Sequence, residues 1–143
     1  MSVFKFLSLN VRGVRNREKG RSIFAYLKNQ KANVYFLQET FSNSSDEKIW
    51  AAEWGGQIFC SHGSDHSKGV CILIKPNSTL HAEIVELDTN GKFIILRLKT
   101  QGETSLNVVN VYAVNKVPCL CREQSEFLDS FSKKLYRWLI LLI

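Results

Sequence analysis

The chain has 143 residues, enough for one domain with a real core and too few for two. Forty-five percent apolar and 22% charged residues exclude a disordered or fibrous chain. The net charge of +6 is concentrated, because residues 1–40 hold Lys5, Arg12, Arg15, Arg17, Lys19, Arg21, Lys28 and Lys31 against only Glu18 and Glu39. That distribution fits either a polyanion-binding surface or a solvated helix face.

Val3–Asn10 is a β-rich run with Lys5, Ser8 and Asn10 as its polar positions, and it predicts a strand buried on both faces. Arg21–Gln30 sets Ile23, Phe24 and Leu27 at helical spacing. Val34–Gln38 predicts a second short strand, so the start of the chain reads as a βαβ unit with a parallel pair. Ser44-x-x-Glu47 has the pattern of a capping box, opening a helix that carries Ile49, Trp50 and Trp54 and closes at Gly55 and Gly56. Gln57–Ser61 and Gly69–Ile74 predict strands around the polar loop Ser61–Lys68. Ala82–Leu87 and Lys92–Thr100 flank Asp88, Thr89, Asn90 and Gly91, whose Asn-Gly pair predicts a hairpin turn. Leu106–Tyr112 is a further buried strand, and Glu123–Arg137 is helical, with Phe127, Leu128, Phe131, Leu135 and Trp138 near one face. Leu139–Ile143 then reads as a strand just begun. Strand, helix, strand, helix and a run of hairpins together predict an α/β fold, a mixed two-sheet sandwich, as one domain over residues 1–143.

Met1 to Asn10 has no charged segment followed by a long apolar stretch, so no secretory signal is expected and the protein is placed inside the cell, nuclear or cytoplasmic. Cys60, Cys71, Cys119 and Cys121 are then expected reduced. The run Cys60, His62, His66, Cys71 has zinc-capable residue types, but its spacing is not that of a common zinc module, and Cys71 sits in the apolar run Val70–Ile74. Leu139–Ile143 is far below the roughly 20 residues of a membrane span, so no membrane partner is expected.

Two residues stand where an open α/β fold binds ligands. Asn10 ends the first strand and Glu39 follows the second, so in a parallel pair they lie side by side at the carboxyl edge. An amide oxygen beside a carboxylate offers two hard oxygen ligands suited to Mg²⁺. The alternative is that Asn10 caps the following turn and Glu39 is a surface acid. A dinucleotide-binding reading fails here, because the turn after the first strand has one glycine, Gly13, where three are needed. Neither a Walker motif nor a G-x-S-x-G elbow occurs. His62 and His66 share one polar loop, show no orienting partner in the sequence and read as loop residues.

Four segments in order carry a family resemblance: Leu7–Gly13 with its Asn10-Val11-Arg12-Gly13 end, Leu37-Gln38-Glu39-Thr40, Gly69–Leu73, and Asn110–Asn115. Together they resemble the endonuclease/exonuclease/phosphatase superfamily. The Trp54-Gly55-Gly56 segment, the Ser61-His62-Gly63 loop and the Asp88-x-x-Gly91 hairpin look most like the apurinic-type endonuclease domain of non-LTR retrotransposons. The resemblance implies a Mg²⁺-dependent DNA endonuclease, with Mn²⁺ as an alternative ion, in which Glu39 and Asn10 bind metal. It implies that Tyr112 and Asn115 act near the scissile phosphate. Val114 stands where the family has a proline.

Such families follow the strand at Leu139–Ile143 with a Gly-Asp-Phe-Asn segment, and later supply an aspartate and a terminal Ser-Asp-His. None of these occurs in the 143 residues. The expectation is therefore the N-terminal part of the domain, inactive by itself, whose C-terminal half or a longer retrotransposon polyprotein is its partner alongside DNA. Two other functions stay open: an apurinic-site repair nuclease, against which Arg12 speaks because that branch has an acidic residue at this turn, and a non-catalytic nucleic-acid-binding remnant using the basic 12–31 segment.

Overall fold

The computed structural model describes residues 3–64, 66–113, 126, 130 and 141–142. Its elements are β1 (Phe6–Asn10), α1 (Arg17–Asn29), β2 (Val34–Gln38), α2 (Asp46–Trp54), β3 (Ile58–Ser61), β4 (Val70–Ile74), β5 (His81–Leu87), β6 (Phe93–Lys99), β7 (Ser105–Val111) and β8 (Leu141–Leu142). Among the described residues they form two sheets, ordered β1-β2-β4-β3 and β5-β6-β7-β8. This is the mixed sandwich expected from the alternation of elements.

β2 shows why the layers stack as they do. Side chains alternate across a strand, and β2 and β4 are apolar on both faces. Tyr35, Leu37, Cys71 and Leu73 pack with Phe24, Leu27, Trp50 and Trp54 of the helices. Val34, Phe36, Val70, Ile72 and Ile74 pack with Ile94, Leu96, Leu98 and Val108 of the second sheet. Burying one such large side chain stabilises the fold by about 1.5–3 kcal/mol, so these two layers hold the sandwich closed. Trp54 also donates its indole N–H to the Ile74 carbonyl at 2.7 Å, tying α2 to the end of β4.

β1 and β2 are parallel, with Asn10 opposite Gln38, as the βαβ reading requires. β1 is not buried on both faces, however. It lies at the sheet edge with β2 as its neighbour, and Phe6, Ser8 and Asn10 are exposed while Leu7 and Leu9 are half-buried. α1 starts one turn earlier than its apolar spacing suggests. Asn16 caps it, its side-chain oxygen accepting the Lys19 N–H at 3.0 Å, and the polar first turn conceals this start.

The expected capping box at Ser44 does not form. α2 begins at Asp46 with Ser45 at the cap and no side-chain capping bond, and Asn43 instead accepts the Ser45 N–H at 3.0 Å. Glu47 is turned away toward His62. Gly55 closes the helix in the left-handed conformation at φ 77, as expected. The Asp88–Gly91 turn joins β5 and β6, the Asp88 carboxylate accepting the Asn90 and Lys92 N–H groups. β8 pairs parallel to β7 through Val109↔Leu141. Glu126 and Ser130 are helical, and the remainder of the helix expected over Glu123–Arg137 lies outside the described residues.

Candidate active site

Five segments meet at the carboxyl edge of β1 and β2. The Val11 N–H donates to the Gln38 carbonyl at 3.0 Å, Gly13 to the Glu39 carbonyl at 2.6 Å and Val14 to the Thr40 carbonyl at 3.1 Å, so the β1–β2 pairing continues past both strands. From the other side, Thr40 donates to Gly69 and Phe41 to Lys68, each at 3.1 Å, and Gly69 donates to Gly91 at 2.9 Å. Tyr112 donates to Lys92 at 2.7 Å. Asn10 and Glu39 thus stand on adjacent backbones at one edge, with Tyr112 joined to the same edge through the β5–β6 turn.

Glu39 sits at φ 55 and Phe41 at φ 51, a left-handed conformation that side-chain-bearing residues rarely adopt. Each costs on the order of 1–3 kcal/mol and persists only where the surroundings over-determine it. Here they do. Besides the main-chain bonds from both sides, Gly69 at φ 89 lies so close that a Cβ on it would stand 2.3 Å from the Thr40 hydroxyl oxygen. Gly13 similarly makes room for the Phe41 ring. The twist at residue 39 ends β2 and lifts Glu39 out of the strand's alternation.

Asn10 accepts the Arg12 N–H at 3.2 Å, so its side chain does cap the following turn, and this bond fixes the position of its amide oxygen. Tyr112 packs its ring against the inter-sheet core. Burial pushes its phenol above the ordinary value, and the negative charge of Glu39 raises it further. Asn115 lies outside the described residues.

Behind this edge sits an amide pair that sequence reasoning did not single out. Asn110, fully buried on β7, donates to the Leu37 carbonyl at 2.9 Å and the Cys71 carbonyl at 2.8 Å, and accepts from the Gln38 amide at 2.8 Å. Gln38 in turn donates to Ser8 at 3.0 Å. These bonds staple the second sheet to β1, β2 and β4 directly beneath Glu39. The signal was present in part, since Asn110 is a polar residue set between Val108, Val109 and Val111.

His62 is not the partnerless loop residue its sequence context suggests. It contacts Ser42 through Nδ1 at 2.9 Å and Glu47 through Nε2 at 2.6 Å. Cys60 and Cys71 face each other across β3 and β4 inside the helix-side core, and the contact between them together with burial pushes the Cys60 thiol up. Among the described residues no three His, Cys, Asp or Glu side chains gather around a point able to hold a metal. The donor set at the strand edge is one carboxylate and one amide oxygen, hard ligands that fit a cation keeping most of its water, as Mg²⁺ does.

The basic segment divides. Arg12 follows Asn10 closely, and Lys19 donates to the Arg12 carbonyl at 2.7 Å, so both belong to the site's edge. Lys28 lies at the other end of α1, where it donates to the Glu53 carbonyl at 2.7 Å and stacks over Trp54. Arg15 pairs with Asp46 at 3.1 Å and Arg21 with Glu53 at 3.2 Å. A 13-residue helix is about 20 Å long, so the seven cations from Arg12 to Lys31 do not form one patch. Among the described residues no helix is long and apolar enough to cross a membrane.

Two sheets packed face to face, with helices against one of them, make this a mixed α/β sandwich. The family model of the Endonuclease/Exonuclease/phosphatase family matches residues 7–140, and the chain belongs to that family. Nucleases of this family generally depend on a divalent metal. The chain is similar to the transposon TX1 uncharacterized 149 kDa protein of Xenopus laevis, 31% identical over 127 residues that cover 87% of this chain and 9% of that protein. Its fold is similar to the AP endonuclease LMAP from Leishmania major, with a TM-score of 0.74 at 21% identity, covering 94% of this chain and 48% of that one. The endonuclease domain of TRAS1, a telomere-specific non-LTR retrotransposon, matches with a TM-score of 0.58 at 15% identity, covering 90% of this chain and 54% of that one. The chain spans about half the length of these two solved structures.

Proposed function

We propose that residues 1–143 are the N-terminal part of a Mg²⁺-dependent DNA endonuclease domain of the retrotransposon type. The observation that carries this reading is the meeting of Asn10, Glu39 and Tyr112 at one strand edge in a chain of this family. Similarity to a transposon protein supports the retrotransposon branch over an apurinic-site repair nuclease. Arg12 at the turn after Asn10 supports it too.

In this reading Glu39 and the Asn10 amide oxygen hold Mg²⁺, which when bound supplies Lewis-acid polarisation of a phosphate oxygen. Tyr112 keeps its proton at neutral pH, since both burial and the Glu39 charge oppose ionisation, and its hydroxyl donates to a non-bridging phosphate oxygen. Asn115 is proposed to add a second donor. Arg12 and Lys19 face the flanking phosphates of DNA. Glu39 alone offers the site one carboxylate, so residues 1–143 by themselves hold metal loosely and lack a group to orient the attacking water.

Nicking of supercoiled DNA tests this. Residues 1–143 alone are expected to show no Mg²⁺-dependent nicking. The same residues joined to a C-terminal half of the family are expected to nick, and Glu39→Gln to abolish it. Nicking by the 143 residues alone that survives Glu39→Gln would overturn the assignment.

A further inference from the structure

The loop that carries Glu39 is held on one side by a chain of side chains that no part of the proposed chemistry uses. Thr40 Oγ1 lies 2.9 Å from Ser42 Oγ, Ser42 Oγ lies 2.9 Å from His62 Nδ1, and His62 Nε2 lies 2.6 Å from Glu47 Oε1. Its polarity follows from its end. A carboxylate only accepts, so in the neutral imidazole Nε2 carries the proton and Nδ1 is the acceptor. Ser42 then donates to Nδ1 and accepts from Thr40. Thr40 and Ser42 have 0% exposure, so water cannot replace the link between them, whereas Glu47 at the outer end is half-exposed.

A serine, a histidine and a carboxylate in this order invite comparison with a nucleophilic triad. The buried Ser42 hydroxyl rules that out, because no substrate reaches it. What the chain does is mechanical. It joins segment 39–42, left-handed at Glu39 and Phe41, to the first turn of α2 and to the loop after β3, three parts of the fold that share no local sequence pattern. Glu39 is the residue before Thr40, so a shift of Thr40 passes to the Glu39 backbone.

We propose that His62 is a positioning residue for Glu39, clamping the 39–42 loop through Ser42 and Thr40 with Glu47 as its anchor. The consequence for metal binding rests on the reading of Glu39 as a ligand; the clamp itself does not. Groups that orient a ligand from outside the coordination sphere typically change metal affinity by about 10–100-fold.

Amide hydrogen exchange in the metal-free full chain separates the two. His62→Ala is expected to speed exchange at the Thr40 and Phe41 amides by about tenfold while Tyr35 and Leu37 in β2 stay unchanged, because local opening is set by local contacts. His62→Asn keeps an acceptor near the Nδ1 position and is expected to restore slow exchange. Glu47→Ala, at a half-exposed side chain, is expected to loosen the same two amides less, and it decides the matter should His62→Ala fail to fold. Unchanged exchange at Thr40 and Phe41 in the folded variants overturns the clamp. Mn²⁺ binding followed by electron paramagnetic resonance is expected to weaken by about tenfold in His62→Ala and to recover in His62→Asn. Faster exchange with unchanged Mn²⁺ affinity upholds the clamp and overturns Glu39 as the ligand.

Discussion

At the carboxyl ends of β1 and β2, Glu39 and Phe41 hold φ 55 and 51 under hydrogen bonds from the turn after β1, the segment before β4 and the His62 chain. At the opposite end of the same sheet, Lys31 and Asn77 hold φ 53 and 57 in turns. There Asn33 organises the backbone, accepting the Lys5 N–H through its side chain at 2.7 Å and the Lys75 N–H through its carbonyl at 3.0 Å. The dihedrals are the same, but the setting differs. The turns at Lys31 and Asn77 are open, whereas Glu39 is held left-handed by main-chain bonds from several segments. Strain at Glu39 and Phe41 is enforced by many contacts, and strain in an open turn is ordinary loop geometry.

Gly69→Ala should break the comparison at its most crowded point. The added Cβ meets the Thr40 hydroxyl oxygen in a backbone at φ 89, and the expected cost is about 3 kcal/mol or more, read from urea unfolding. Asn110→Leu removes the buried staple below Glu39 and is expected to cost about 2–3 kcal/mol by the same measurement, since the Gln38 amide and two carbonyls lose a buried partner. Glycine substitutions sharpen the contrast between the ends. Lys31→Gly and Glu39→Gly both relieve a left-handed side chain, and each is expected to stabilise the fold by about 0.5–1 kcal/mol. Only Glu39→Gly should also abolish Mn²⁺ binding. The smallest effect concerns DNA. With Lys28 and Lys31 at the far end of α1, few cations reach one duplex, and log–log salt titration of binding should give a slope of about −2 to −4.

Much of this architecture is legible in the sequence because it follows from short-range pattern. Val34–Gln38 has the bounds its apolar run between turn residues implies, and the parallel pairing follows from the helix between two strands. The edge position of β1 is not legible, because β-rich composition does not say which strand takes the edge. The capping box at Ser44 fails for a tertiary reason: Glu47 finds His62, 15 residues away, instead of its own helix start. Asn10 and Glu39 are legible as a pair because register alone sets them side by side. The left-handed twist at Glu39, the His62 chain and the Asn110 staple are not, since each depends on residues brought together from three or more segments. Asn16 as the cap of α1 is the exception, a local signal hidden by the charged first turn that follows it.

The central claim is that Glu39 and Tyr112 share one site, and the titration of the Tyr112 phenol tests it most directly. Burial and then the Glu39 charge hold its pKa above the ordinary value. Followed by NMR of the labelled ring, Glu39→Gln should lower the midpoint by removing the repulsion, yet leave it above about 10 because burial remains. A midpoint unchanged by Glu39→Gln would mean that the carboxylate does not reach the phenol, and the shared site would be contradicted.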